Sequence, residues 1–219
     1  MAKNVGGYLG IQRGKLGGAV GRIWRGQQVY SVYTNAVKNP RTEAQQAVRA
    51  KFAALMKLCR TMQYGTKKGL IAVRTLWDNN NAFMHINWAA VSGATAQEVA
   101  ISYADIKLSQ GICPMPSTGT LDFEEELTVK VPTLDTSDMP GANASDEIYY
   151  LIYQPDTNSA TMKVDQRGSA AGEVAIQVPS AWSGMRVHVY AFAVAAIGDE
   201  VVHVGEPSDT IYCGSGNIG

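Results

Sequence analysis

The residues able to do chemistry are few and widely spaced. Gly14-Lys15 sits in GYLGIQRGKLGGAVGRIWRG, residues 7–26, which holds seven glycines, four basic residues and no acid. A phosphate-cradling loop needs G-x-x-x-x-G-K-[ST] after a buried strand, because backbone N–H groups and the lysine hold phosphate while the hydroxyl holds magnesium. Here the spacing from Gly10 to Gly14 is one residue short, Leu16 replaces the hydroxyl residue, and no strand pattern leads in. The stretch contains no G-x-G-x-x-G either. His85, His188 and His203 are isolated, and neither H-x-x-x-H nor C-x-x-C occurs, so no metal centre is expected. His188 and His203 read as surface or edge histidines of a sheet. Glu124-Glu125-Glu126 reads as a solvated strand start. Cys59 and Cys113 have no histidine nearby in sequence, and G-x-S-x-G is absent. The sequence therefore predicts neither a catalytic centre nor a cofactor.

Composition narrows the remaining classes. The 219 residues suffice for one large or two small domains. The longest apolar run, Val189 to Ile197, is nine residues, well below the roughly 18–20 of a membrane span. Glycines and Gln12, Arg13 and Lys15 interrupt the N-terminal region, so no secretory signal is expected. Cys59, Cys113 and Cys213 give no disulfide framework, which suits assembly in a reducing cytoplasm.

The net charge of zero conceals a strong asymmetry. Residues 1–75 hold fourteen Lys and Arg against one acid, Glu43, whereas residues 76–219 hold five against eighteen acids. Such a chain can attract copies of itself, fold its basic part onto its own acidic part, or bind another acidic partner.

The elements that must position these residues follow from pattern. Residues 1–26 are too glycine-rich to fold alone, because glycine loses the most backbone freedom on ordering. Residues 27–37 alternate, with Val29, Ser31 and Tyr33 on one side and Tyr30, Val32 and Thr34 on the other, which predicts a strand. Thr42 and Gln45 form a capping box and predict a helix over 43–63. Its apolar stripe is Ala44, Val48, Phe52, Leu55, Cys59 and Met62, with Gln46, Arg49, Lys57 and Arg60 to one side. Tyr64-Gly65-Thr66 reads as a break. A second helix follows over 67–78, Asp78 to Asn81 interrupt it, and a third piece covers 82–90. Trp77, Phe83 and Trp88 read as core. Beyond residue 98, strands are predicted at 99–109, 124–131, 147–153, 161–166, 173–178, 185–195, 200–204 and 208–213. The resulting class is α+β. An extended Gly-rich basic arm (1–38) and a helical segment (39–97) precede an antiparallel immunoglobulin-like β-sandwich (98–219).

Several motifs together resemble a known family. They are Gly17-Gly18-x-x-Gly21, Trp24-x-Gly26, Asn39-Pro40-x-Thr42-x-x-Gln45, Arg49-x-Lys51-Phe52, Val189-Tyr190-x-Phe192, and Ser208 through Tyr212 to Gly214. The chain is similar to a family, without assigned activity, found in Bacteroidota and in phages infecting them, including crAss-like phages. The resemblance implies an N-terminal ribbon, helices and an immunoglobulin-like domain. By phage context it also implies a virion part in the tail or collar near the portal, made in the host cytoplasm.

The functional expectation is a non-enzymatic structural protein that associates with copies of itself and with portal or tail components, without a membrane. The residues expected at the assembly interface are Tyr8, Leu9, Arg22, Trp24, Arg25, Val29, Tyr33, Arg49 and Arg60. Two other readings remain open. One is a nucleic-acid-binding module using residues 1–75, whose tyrosines and Trp24 among basic residues could stack bases and track phosphates. The other is a host-encoded surface or glycan-binding sandwich.

Overall fold

The structure is a computed structural model. It describes residues 3–4, 12–36, 39–73, 78–115, 121–123, 127–132, 141–167, 173–196 and 205–219. The fold is α+β with antiparallel sheets, and the chain divides into two compact units, Met1–Arg41 and Thr42–Gly219.

The first unit is a small sheet. Strands β1 (Lys3–Asn4), β2 (Gly14–Leu16), β3 (Ala19–Trp24) and β4 (Gln27–Val32) lie in the order β1-β4-β3-β2, all neighbours antiparallel. Of the strand predicted at 27–37, Gln27–Val32 is present and residues 33–36 lie outside it. Residues 14–24, where the sequence pattern gives no strand, form two more. They do so because their turns are well suited to hairpins. Leu16 pairs with Ala19 across Gly17-Gly18, with φ +58° at Gly17, and Trp24 pairs with Gln27 across Arg25-Gly26, with φ +50° and +75°. Two-residue turns with positive φ match the twist of paired strands. The glycines that make this stretch look structureless are in part its turn residues.

The second unit begins with α1 (Glu43–Thr61), capped as expected by Thr42, whose Oγ1 accepts from the Gln45 N–H at 3.4 Å. Next comes α2 (Gln63–Gly69), so the break expected at Tyr64-Gly65-Thr66 lies inside a helix. Gly65 is there for packing. A Cβ at this position would stand 3.0 Å from a Leu151 side-chain carbon and 3.6 Å from Phe192. The bend falls instead at Met62. Helix α3 (Asn79–Asn87) starts within the Asn run that reads as an interruption, with Asp78 in the cap position, and a 3-10 turn, Trp88–Ala90, follows. Phe83 is buried as expected, Trp88 is substantially exposed, and Trp77 lies outside the described residues.

Eight further strands complete the unit. They are β5 (Val91–Ser92), β6 (Ala100–Ile101), β7 (Thr128–Pro132), β8 (Glu147–Gln154), β9 (Ser159–Gln166), β10 (Glu173–Gln177), β11 (Arg186–Val194) and β12 (Ile211–Asn217). Strands β12-β11-β8-β9 form a four-stranded antiparallel sheet, and β7 pairs with β10. The two sheets face each other as in an immunoglobulin-like sandwich. Ile148, Tyr150 and Ile152 of β8 and Val187, Val189 and Ala191 of β11 meet Val129, Val131, Val174 and Ile176. The alternate residues, Tyr149, Leu151, Tyr153, Tyr190, Phe192 and Val194, face the helices and pack with Leu55, Leu58, Met62 and Phe83. The central strands are thus apolar on both faces because each face is covered, by helices on one side and by a second sheet on the other.

The long strand expected over 99–109 is not formed. Ala100–Ile101 makes a short pair with Val91–Ser92, a 3-10 turn occupies Tyr103–Asp105, and residues 107–113 run without a ladder. Side chains hold residues 107–109 instead, and Gln110 and Cys113 donate to the Gly69 and Pro207 carbonyls. Asn87 donates to the Lys107 carbonyl (2.9 Å) and accepts its N–H (2.7 Å), and Thr210 Oγ1 accepts from the Leu108 and Ser109 N–H groups (both 2.7 Å). The strand expected at 200–204 and the acidic run at 124–126 lie outside the described residues.

Candidate assembly interface

Among its described residues the first unit has almost no core. Val29 is its only buried apolar side chain among the described residues. Polar contacts take the place of a core. The buried Gln28 amide pairs with the Gln12 peptide: Oε1 accepts the Gln12 N–H at 3.0 Å, and Nε2 donates to the Gln12 carbonyl. Tyr30 OH donates to Gln12 Oε1 at 3.0 Å. The Gln12 backbone passes so close to Gly21 that a Cβ there would be 2.7 Å from the Gln12 oxygen. No side chain fits in that gap.

Strand alternation divides the sheet into two faces. Leu16, Ala19 and Val32 are cross-strand neighbours on one, together with Gly21 and Tyr30. Lys15, Val20 and Ser31 lie on the other, with Arg22, Val29 and Trp24. Trp24 is 58% exposed and Val32 84%. Two cations lie over exposed rings, Lys15 Nζ 3.8 Å from the Tyr33 centroid and Arg25 5.0 Å from that of Trp24. Of the nine expected interface residues, the sheet therefore gathers Arg22, Trp24, Arg25, Val29 and Tyr33. Val29 is buried and supports the face rather than presenting itself. Arg49 and Arg60 stand exposed on α1 in the second unit, and Tyr8 and Leu9 lie outside the described residues.

The charge pattern coincides with the division into units. Met1–Arg41 holds seven Lys and Arg and no acid, so all nineteen acids belong to Thr42–Gly219. Sequence reasoning missed the Gln12–Gln28 pairing. Its one signal was a glutamine beside Val29 in a strand otherwise rich in apolar and aromatic residues.

Among the groups considered for catalysis, Cys59, Cys113 and His188 are buried in the described structure. Burial raises the Cys59 thiol to about 11, with Asp78 adding to the effect, and burial also raises Cys113. Neither supplies thiolate near neutral pH. His188 is not at a surface or edge. It is buried on the central strand β11, stacked 4.4 Å from Tyr103, with Nδ1 2.8 Å from Tyr212 OH. Burial, and secondarily the Arg186 charge, lowers it to about 4, so it is neutral at pH 7. His203 lies outside the described residues. Gly214-Ser215-Gly216-Asn217-Ile218-Gly219 does read as G-x-G-x-x-G, a match missed from sequence. It runs along β12 paired with β11, not at the strand-to-helix turn that holds a pyrophosphate. Among the described residues, no group of three or more His, Cys, Asp or Glu could hold a metal ion, and no helix is long and apolar enough to cross a membrane.

Fold and site together define an α+β protein with a two-sided central sheet and a basic N-terminal meander. Residues 11–206 match the family of unknown function DUF6266, and the chain belongs to that family. No curated protein and no solved structure matches it.

Proposed function

We propose that this protein is a structural, non-enzymatic component of a phage virion, part of a tail or collar ring near the portal. In this reading it associates with copies of itself through the N-terminal meander. The observation that carries the proposal is a sheet whose described residues bury one apolar side chain while exposing Trp24, Val32, Leu16 and Arg22. Such a sheet has little burial of its own to offset the entropy of ordering, and a partner surface supplies more. A unit with seven cations and no acid, joined to one holding every acid, favours head-to-tail contacts between copies, which close into a ring when the rotation permits. The virion setting rests on the resemblance to a phage-borne family.

Native mass spectrometry and negative-stain imaging of the full chain, beside a chain lacking residues 1–38, test this. Rings or defined oligomers that disappear on deletion are expected. A monodisperse monomer at high concentration, unchanged by the deletion, would overturn self-assembly. A second reading draws on the Lys15–Tyr33 and Arg25–Trp24 pairs, which place cations on exposed rings as single-strand binders do. It requires DNA or RNA affinity that falls steeply with salt and is lost when Arg22, Arg25, Arg49 and Arg60 are neutralised.

A further inference from the structure

The apolar stripe of α1 runs past the region that the body covers. Leu55, Cys59 and Met62 are fully buried, while Val48 (54%) and Phe52 (48%), on the same stripe, remain largely open. Beside Phe52 the helix borders a groove of about 520 Å³, lined by Phe52, Ala53, Met56, Lys57, Arg60, Thr61 and Asn158. Its floor is apolar and its rim carries two cations. Among the described residues no acid lines it, and neither Lys57 nor Arg60 has an ion-pair partner.

The far wall is fixed in place. Asn158, in the β8–β9 turn, has φ +48° and is held from two sides. Its Nδ2 donates to Thr61 Oγ1 at 2.7 Å, Thr61 Oγ1 donates to the Asn158 carbonyl at 3.3 Å, and Tyr153 OH donates to Asn158 Oδ1 at 3.1 Å. The groove is therefore preformed, and a ligand pays little to organise it.

We propose that this groove is a docking site for a partner protein segment that alternates apolar and acidic residues. An apolar side chain sits between Phe52 and Met56, and neighbouring carboxylates meet Lys57 and Arg60. Charge complementarity selects the occupant. Two rim cations over an apolar floor match carboxylates spaced among apolar side chains, whereas a nucleic acid strand would need a longer basic track. A second α1 is disfavoured because like charges would meet. The proposal does not depend on self-assembly through the meander.

The test uses the full-length protein and a fluorescent peptide alternating leucine with glutamate, with a leucine–lysine peptide and oligothymidylate as comparators. Saturable binding of the glutamate peptide alone is expected. The double variant Lys57→Glu, Arg60→Glu should weaken it by about tenfold and admit the lysine peptide, while Phe52→Ala should weaken it by about tenfold whatever the salt. All three residues are partly or largely exposed, and unchanged thermal unfolding confirms that the variants fold. Equal affinity for both peptides, binding insensitive to these variants, or preferred binding of oligothymidylate would overturn the proposal.

Discussion

Replacing Gly21 by alanine tests the meander at its tightest point. The added Cβ would lie 2.7 Å from the Gln12 carbonyl oxygen and 3.2 Å from Gln28 Nε2. The first of these atoms is backbone, so the Gln12 segment must lift away. Lifting breaks both bonds of the Gln12–Gln28 pairing and leaves a buried amide without partners. Each such orphaned group costs about 1–3 kcal/mol, while alanine regains about 0.5–1 kcal/mol over glycine in a strand. With both ends of the amide orphaned, the net loss is about 1–5 kcal/mol, set against a sheet whose described residues bury a single valine. Amide hydrogen exchange across residues 20–31 reads this directly. Protection in the variant should fall by roughly 5-fold to several thousand-fold, or to the unprotected limit, while strands β8 and β11 keep theirs. Assembly through the meander should fall with it. Equal protection in variant and wild type, or no protection in the wild-type assembly, would refute the reasoning.

Other expectations concern the turn and the body. Arg25 holds φ +50° in a turn that favours Asn-Gly, so Arg25→Asn should raise exchange protection of the same hairpin by about 0.5–1 kcal/mol. Arg167 and Asp146 form a buried ion pair at 3.1 Å, and Asp146 also accepts N–H groups from Asn143 and Ala196. Arg167→Met leaves that carboxylate uncompensated and should cost about 3–5 kcal/mol in urea unfolding, or roughly 10 °C in Tm; a loss under about 1 kcal/mol would contradict it. His188 takes a proton near 6.5 when unfolded but only near 4 when folded. The unfolded state therefore binds more protons between these values, and stability should fall as pH drops from about 6.5 to about 4. The fall is at most about 1.4 kcal/mol per pH unit from this group. His188→Phe should flatten that part of the urea-midpoint profile.

Much of the body was legible because it follows simple periods. Alternation placed β7 through β11 within a few residues, and the Thr42–Gln45 cap located the start of α1. A lone glycine misled where packing overrides propensity. Gly65 signals a break by itself, but the close approach of Leu151 and Phe192 keeps it helical. Residues 99–109 read as a strand, yet side chains from Asn87 and Thr210 satisfy the backbone of Lys107, Leu108 and Ser109, so no neighbouring strand is needed there. At the candidate interface, charge and the position of Trp24 were visible in sequence. The Gln12–Gln28 contact was not, because it joins residues sixteen apart through one side-chain amide. The groove beside Phe52 was equally hidden. Helical periodicity marks Phe52 as core but says nothing of whether the body extends far enough to cover it.

The two-faced central sheet also bears on the order in which the chain is made. Helices α1 to α3 leave the ribosome well before β8 and β11, the strands whose Tyr149, Leu151 and Phe192 they cover. Leu55, Leu58 and Met62 therefore wait, without their eventual neighbours, while about a hundred more residues are added. During that interval the young chain exposes an apolar helix bordered by cations, a natural client for a chaperone. Maturation should be limited by the arrival of β11, not by helix formation.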